Sequence, residues 1–520
     1  MKRTYKYLSI GLCLLAFTAC KKDWLDRQPQ TIILENQVWN DPTQILGLLA
    51  NYYDRLPTDM GLDANNAQWR NMADYDNAMW SGQSNEDGRN NIVNYPQDRW
   101  RLWNYDLIRD INLALESIPQ YGTNLTDAQK AQFDAEFRFI RAYDYFELVK
   151  RMGGVPLITE QLIYDYSGDP SSLQRPRAKE SDVYDFIASE VDAIKDKLGN
   201  AGSKTRANKY TALALKSRAM LYAASIAKYN NLMPSPITTP GGEVGIPASK
   251  AAEYYQKSLE ASKEIINSGL YSLYQGNPDK GQNFYEAVVK KTGNPEVIFA
   301  KDYLSSKNKR HVFSYDNIAR GLREDNLSSS SVTPSLNLVE SFDYLDGSNG
   351  ALKTRTPDDK DYIYYDKVSD IFANKDARMA GTVMYPGSTF KGITVEMQAG
   401  VMAWNSSTNS YQTIEGSSLG AIWGPPEYPN GDGKLLTGTS GPHRSIQEVS
   451  NTGFYMKKYI DAGAGTSTRG IQSDVWWVWF RLGEIYLNAA EAAFELGQIP
   501  DAVTYINAIR SRAGFTGTGL

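Results

Sequence analysis

Gly416-Ser417-Ser418-Leu419-Gly420 has the GxSxG spacing that sets a serine nucleophile on a tight strand-to-helix turn. Asp432 and His443 follow in the order of a hydrolase triad. The stretch from Ser418 to His443 is too short to hold the strands and helices of that fold, so the match reads as chance in a Gly/Ser-rich loop. Histidine occurs only twice, at His311 and His443, and cysteine only twice, at Cys13 and Cys20. Nothing after Cys20 supplies a thiolate, a disulfide or a cysteine zinc site, and histidine chemistry has little to work with. There is no GxxxxGK[ST], no GxGxxG after a strand and no HExxH. Asp343-Tyr344-Leu345-Asp346-Gly347 lacks the alternating ligands of a calcium loop. The expectation is no cofactor, no metal ligand set and no catalytic residue. A carboxylate pair for glycoside hydrolysis stays open, because 60 acids are available and sequence does not report their separations.

Aromatic residues are the richer signal, with 34 Tyr, 16 Phe and 11 Trp. Trp69 and Trp80 lie in a stretch, 58–96, crowded with polar residues that include Asn71, Asp74 and Asn77. Trp404, Tyr411 and Trp423 lie in a Gly/Ser-rich region. An indole beside amides and carboxylates suits a sugar: the CH face of the ring stacks on the indole, and planar polar groups bridge the hydroxyls. These eight residues are the candidate ligand-binding set. The competing reading is that each tryptophan plugs a loop onto the core. At least two of Trp69, Trp80, Trp404 and Trp423 are expected to show partly exposed rings near a common groove. Trp100 and Trp103 are expected in a helix and in the core, and Trp476, Trp477 and Trp479 in a buried apolar run.

The elements that would carry these residues are mostly helical. Phe139, Ala142, Tyr143, Phe146 and Val149 recur at helical spacing, predicting a helix over 131–151 stopped by Gly153-Gly154 and Pro156. Further helices are predicted over 181–198 with Ser181 as N-cap, over 210–224, over 250–268, from Leu482 to Leu496, and over 500–513. Gly497, Ala502, Ile506 and Ile509 match a tetratricopeptide repeat, in which small residues admit close helix approach. The fold class expected is mainly α: a tetratricopeptide-like helix-pair scaffold carrying an irregular, loop-rich insertion with small strands. A net charge of -5 argues against nucleic acid as a partner. No internal run of apolar residues is long enough to span a membrane as a helix.

Lys2, Arg3 and Lys6 precede a short apolar stretch, and Phe17-Thr18-Ala19-Cys20 resembles a bacterial lipobox. Cleavage before Cys20 and acylation of it would tether the body to a membrane, at ~0.8 kcal/mol per buried CH₂. The chain thus divides into a signal peptide (1–19), a lipidated extended segment (20–40), a helical scaffold (41–269), a ligand-binding insertion (270–479) and a closing helix pair (480–520).

Several ordered blocks resemble the SusD/RagB nutrient-binding lipoproteins of Bacteroidetes. They are Cys20-Lys21-Lys22-Asp23-Trp24-Leu25-Asp26 with Pro29, Ala135 to Phe146 followed by Gly153-Gly154-Val155-Pro156-Leu157, Arg175-Pro176-Arg177-Ala178, Asn374 to Arg378, and Glu484 to Gly514. The resemblance implies an outward-facing outer-membrane lipoprotein, acylated at Cys20. It would bind an oligosaccharide or other nutrient and deliver it to a SusC-like TonB-dependent transporter, without catalysis. Asp23 and Asp26 suit the surface-export signal of that phylum. Family members usually continue past the block at Arg512-Ala513-Gly514, so a chain ending at Leu520 is expected to be either a shortened sequence or an atypical member. The alternatives are a surface glycoside hydrolase and a repeat scaffold for protein contacts only.

Overall fold

The computed structural model describes residues 35–58, 72–73, 75–81, 100–166, 168–200, 202–325, 327, 332–443, 446, 449–471 and 473–517. Cys20, Trp69, Asn71 and Asp74 lie outside these residues.

Among the described residues, nine helices carry the scaffold and its flank: α1 (Pro42–Asp54), α2 (Tyr105–Tyr121), α3 (Asp127–Met152), α4 (Glu180–Ile194), α5 (Lys209–Tyr229), α6 (Ala251–Asn267), α7 (Lys280–Val289), α8 (Leu482–Glu495) and α9 (Ile499–Arg512). Local chemistry sets several starts. The Asp41 side chain accepts from the Thr43 N–H at 2.8 Å. Thr126 and Gln129 form a reciprocal capping box ahead of α3. The Asn208 side-chain Oδ1 accepts from the N–H groups of Tyr210 and Thr211. Each helix packs on the next, α2 through α6 in sequence, and then α6 packs on α8 and α8 on α9. The chain leaves the stack after α6 and returns to it at α8. That is the nearest-neighbour stacking of a helical repeat array.

Helix α3 is buried on nearly every face, because α2 and α4 flank it and α1 packs across it. Several of its buried charges are paired, while the buried Asp144 accepts from the neutral Asn104 side chain at 2.9 Å. Arg138 and Arg141 both reach Glu190 on α4, at 2.6 and 3.0 Å. Glu136 receives Arg206 and the Tyr53 hydroxyl.

Outside the stack the strands are short. Among the described residues they form six two-stranded antiparallel sheets. Those that matter here are β1 (Ala78–Trp80), β2 (Val297–Lys301), β3 (Val332–Pro334), β4 (Val383–Met384), β5 (Val401–Asn405), β6 (Ser410–Ile414), β7 (Ile422–Trp423), β8 (Lys434–Leu435), β9 (Tyr455–Met456) and β10 (Trp477–Arg481). They pair β1 with β3, β2 with β10, β4 with β9, β5 with β6 and β7 with β8. The β2–β10 pair joins the loop-rich region to the helices. Phe299 of β2 is fully buried. Its ring stacks on Trp479 of β10 at 4.8 Å and meets Phe139 and Tyr143 of α3 at 5.7 and 6.4 Å. Just before β2, the fully buried Glu296 accepts from Arg481 at 2.7 Å, from Arg512 of α9 at 2.6 Å and from the Tyr274 N–H at 2.8 Å.

The structure corrects four sequence expectations. Trp100 and Trp103 precede α2 instead of lying in a helix, and Trp103 is 46% exposed. Trp477 is half-buried, whereas its neighbours Trp476 and Trp479 are buried as expected. Register shifts break the β10 ladder around Val478 and Phe480, so strict alternation of faces is lost there. Helix α4 begins at Glu180 with Lys179 at the cap, not with Ser181. Gly497 is needed for its φ of +75°, not for close helix approach, since a Cβ there would meet nothing within 4 Å.

Candidate ligand-binding cavity

A cavity of about 760 Å³ opens where the end of α3, the β1–β3 sheet, β9 and the start of β10 converge. That volume suits a small-molecule site. Six aromatic residues line it: Tyr75, Trp100, Phe313, Tyr459, Trp477 and Tyr222 of α5. Tyr459 and Trp477 stack with centroids 4.3 Å apart and planes 24° apart. Phe313 meets Trp477 edge-on at 5.4 Å, and Tyr75 lies 6.4 Å from Trp100. Burial pushes the Tyr459 hydroxyl up to about 12, so it stays protonated, and it donates to the Val478 carbonyl.

Two of these rings sit on unusual backbone. Trp100 has φ +62° and Tyr459 has φ +67°. A bulky side chain in the left-handed region costs about 1–3 kcal/mol, and such strain clusters at ligand clamps. Here both strained residues line one cavity.

The polar lining is cationic. Lys150 and Arg151, at the last turn of α3, both reach the nearly fully buried Glu147, at 2.9 and 2.6 Å. Lys458 follows β9 and is half-buried, with the Tyr459 and Phe284 ring centres 5.8 and 6.0 Å from its ammonium. Burial, followed by the like charge of Arg481, pushes Lys458 down to about 8. Asn77 and Thr382 add neutral polar groups. A second hollow, of about 260 Å³, is lined by Leu115, Ile118, Pro119, Lys130, Ala131, Asp134 and Lys197 and has no aromatic ring.

Of the sequence-predicted site residues, Asn77 lines the cavity. Trp80 lies on β1 and packs against the neighbouring apolar cluster that includes Val332 and Tyr455. Trp404 and Tyr411 face each other directly across the β5–β6 hairpin, with centroids 5.1 Å apart and 53% and 57% exposure. Trp423 on β7 packs on Tyr428 at 4.6 Å and is half-buried. Trp80, Trp404, Tyr411 and Trp423 are not among the residues lining the cavity. The hairpin is a separate aromatic surface. The GxSxG match makes no relay. His443 Nε2 lies 3.0 Å from the Gly416 carbonyl, and Asp432 accepts from the Lys434 N–H at 3.0 Å.

The fold and the cavity acquire a context from comparison with known proteins. Residues 295–520 match the family model described as the SusD family, and residues 23–221 match one described as starch-binding, associating with the outer membrane. The chain belongs to the SusD/RagB family. It is 26% identical over 255 residues to a SusD-like protein of Formosa agariphila, covering 46% of each chain. It is also 26% identical over 237 residues to a SusD-like protein of Bacteroides ovatus, covering 42% of this chain and 39% of that one. The matched stretches thus span less than half the length of these two relatives. A SusD-like protein of Bacteroides fragilis superimposes with a TM-score of 0.61 at 21% identity, covering 94% of this chain and 82% of that one. A laminarin-binding SusD-like protein superimposes with a TM-score of 0.56 at 18% identity, covering 91% and 84%. These likenesses establish a SusD-type fold, and the family includes proteins described as carbohydrate-binding.

Proposed function

We propose that this SusD-family chain captures an oligosaccharide in the aromatic cavity and passes it to a SusC-like TonB-dependent transporter, as an outward-facing outer-membrane lipoprotein and not as an enzyme. The observation that carries the reading is the convergence of Tyr75, Trp100, Tyr459 and Trp477 on one opening, two of them on strained backbone. Flat rings give a sugar's CH face apolar contact without demanding a particular hydroxyl pattern. No described residue lining the cavity is an acid, which favours capture there over two-carboxylate hydrolysis. The exposed Trp404–Tyr411 pair is proposed as a second platform, with Trp80 and Trp423, and with Trp69, Asn71 and Asp74 from the stretch before β1. Weak subsites of this kind gain affinity by acting together.

Replacing an aromatic platform by alanine costs ~1–3 kcal/mol where stacking on nucleic-acid bases is measured. Sugars lack a π-face, so the lower end applies. Trp477→Ala is expected to weaken oligosaccharide binding about tenfold while the protein still melts cooperatively. Calorimetry on a glycan panel, with product analysis of the same mixtures, provides the test. Unchanged affinity in Trp477→Ala, or release of shortened sugars, defeats the reading.

The anchor has its own test. Among the described residues no helix is long and apolar enough to cross a membrane. Cys20→Ala is expected to move the protein from the membrane fraction to the soluble one. Retention of the variant in washed membranes counts against lipidation at that residue.

A further inference from the structure

Resting on the carbohydrate reading, we infer that Trp477 and Tyr222 set which sugar the cavity accepts, by hydrogen-bonding ring hydroxyls through the indole N–H and the phenol. Both residues line the cavity, Trp477 from β10 and Tyr222 from α5. Stacking reads only the flat face of a sugar. Its hydroxyl pattern is read by a few polar groups held at fixed points.

The polar atoms of the lining divide into engaged and uncommitted ones. The Thr382 hydroxyl donates to the Arg378 carbonyl at 2.8 Å, and the Tyr459 hydroxyl to the Val478 carbonyl at 3.4 Å. Lys150 and Arg151 are tied to Glu147. The Tyr222 hydroxyl and the Trp477 N–H bond no described residue. The neighbouring indoles of β10 and its approach sharpen the contrast. The Trp476 N–H donates to the Val288 carbonyl at 2.9 Å, and the Trp479 N–H is sealed in the core without a partner. The Trp477 N–H is neither bonded nor sealed, on a half-buried ring beside the cavity.

Both rings are held in place by other rings. Tyr459 stacks on Trp477, and Phe313 meets it edge-on. Tyr222 meets the fully buried Phe146 edge-on at 5.5 Å. A packed side chain with two rotatable bonds fixes its polar tip at little further entropy cost. A sugar with an oxygen opposite each tip completes two hydrogen bonds. An epimer that turns one hydroxyl away covers a tip and leaves it unpaired, which costs affinity. The ligand class is therefore an oligosaccharide chosen from its epimers by the orientation of single hydroxyls.

Calorimetry on the full chain with three matched pairs of tetrasaccharides tests this. They are cellotetraose with mannotetraose, laminaritetraose with the corresponding galactose tetramer, and isomaltotetraose with the corresponding mannose tetramer. Within each pair the linkage is the same and one hydroxyl per ring changes orientation. The parent is expected to prefer one member of at least one pair by about tenfold. Trp477→Phe and Tyr222→Phe each keep a ring and remove the polar atom. Each should weaken the preferred member by about two- to tenfold, the range of one neutral hydrogen bond, and weaken its epimer less. The preference should vanish in the double variant. Equal binding of both members of every pair by the parent, or a preference undiminished in the double variant, overturns the inference. Carbohydrate capture then still stands if Trp477→Ala weakens binding. If no probe binds, the carbohydrate reading fails and this inference with it. A thermal melt of each variant matching the parent shows that lost binding is not lost folding.

Discussion

Glu296→Ala is expected to be among the most destabilising single substitutions in this protein, by about 3–5 kcal/mol, the range for removing one partner of a buried ion pair. Glu296 is fully buried and receives two guanidinium groups, Arg481 and Arg512, and one backbone N–H. Its removal strands two cations that cannot both reach water, since the Arg512 side chain is itself almost fully buried. The effect carries a pH dependence of definite sign. Burial alone would raise the Glu296 carboxyl, but the Arg481 and Arg512 charges and the Tyr274 N–H outweigh it and hold the group below its ordinary value. A depressed carboxyl adds stability above the unfolded-state pKa of about 4.3 and loses it as pH falls through the folded value. The gap between the parent and Glu296→Ala should therefore be widest at neutral pH and narrow below about pH 4.3. Urea denaturation at pH 7 and pH 3 reads both. A gap that is small at pH 7, or that widens in acid, contradicts the account.

Phe299→Ala is expected to cost about 3–5 kcal/mol, the range for truncating a fully buried phenylalanine. Its ring is in contact with residues from three elements: Phe139 and Tyr143 of α3, Trp479 and Phe480 of β10, and Tyr53 of α1. Those neighbours are themselves large and mutually wedged, so little collapse into the void is available. The urea midpoint should fall with little change in the slope of the transition, since the surface exposed on unfolding is nearly the same. Phe299→Leu, which keeps most of the volume, should recover much of the loss. A midpoint unchanged in Phe299→Ala would show that the β2–β10 pair is held without this ring.

Helices were the most legible part of the sequence. The periodicity from Phe139 to Val149 and from Leu482 to Leu496 is strong because those helices bury a face against a neighbour, and burial writes the 3.6-residue pattern. Their ends were less legible. Ser181 looks like a cap, yet the chain enters α4 through Lys179, whose extended backbone is fixed by contacts distant in sequence. The cavity was mostly hidden. Its rings come from residues as far apart as Tyr75 and Trp477, and no spacing rule links them. Trp477 was masked by the apolar run around it, because a bulged two-stranded sheet turns one of several adjacent aromatics outward. Asn77 was found because polar crowding around β1 is local information. The cationic lining left a faint trace in Lys457-Lys458-Tyr459, a basic pair against an aromatic, but only the fold brings it near Lys150 and Arg151.

The antiparallel pairing of Val297–Lys301 with Trp477–Arg481 has an evolutionary corollary. It closes the long stretch between Lys301 and Trp477 into a cassette whose two ends stand side by side. For a flexible loop, doubling the length adds only about 0.6 kcal/mol of closure entropy. A lineage can therefore lengthen, shorten or recombine that cassette between one fixed pair of splice points. The clasp fixes where the cassette joins the helix stack, and side contacts such as Lys309 with Asp54 of α1 and the Ala377 N–H with the Ala513 carbonyl add to it. Selection on what is bound then acts on one wall of the cavity, through Phe313, Tyr459 and Lys458, while the wall built from α3 stays as inherited.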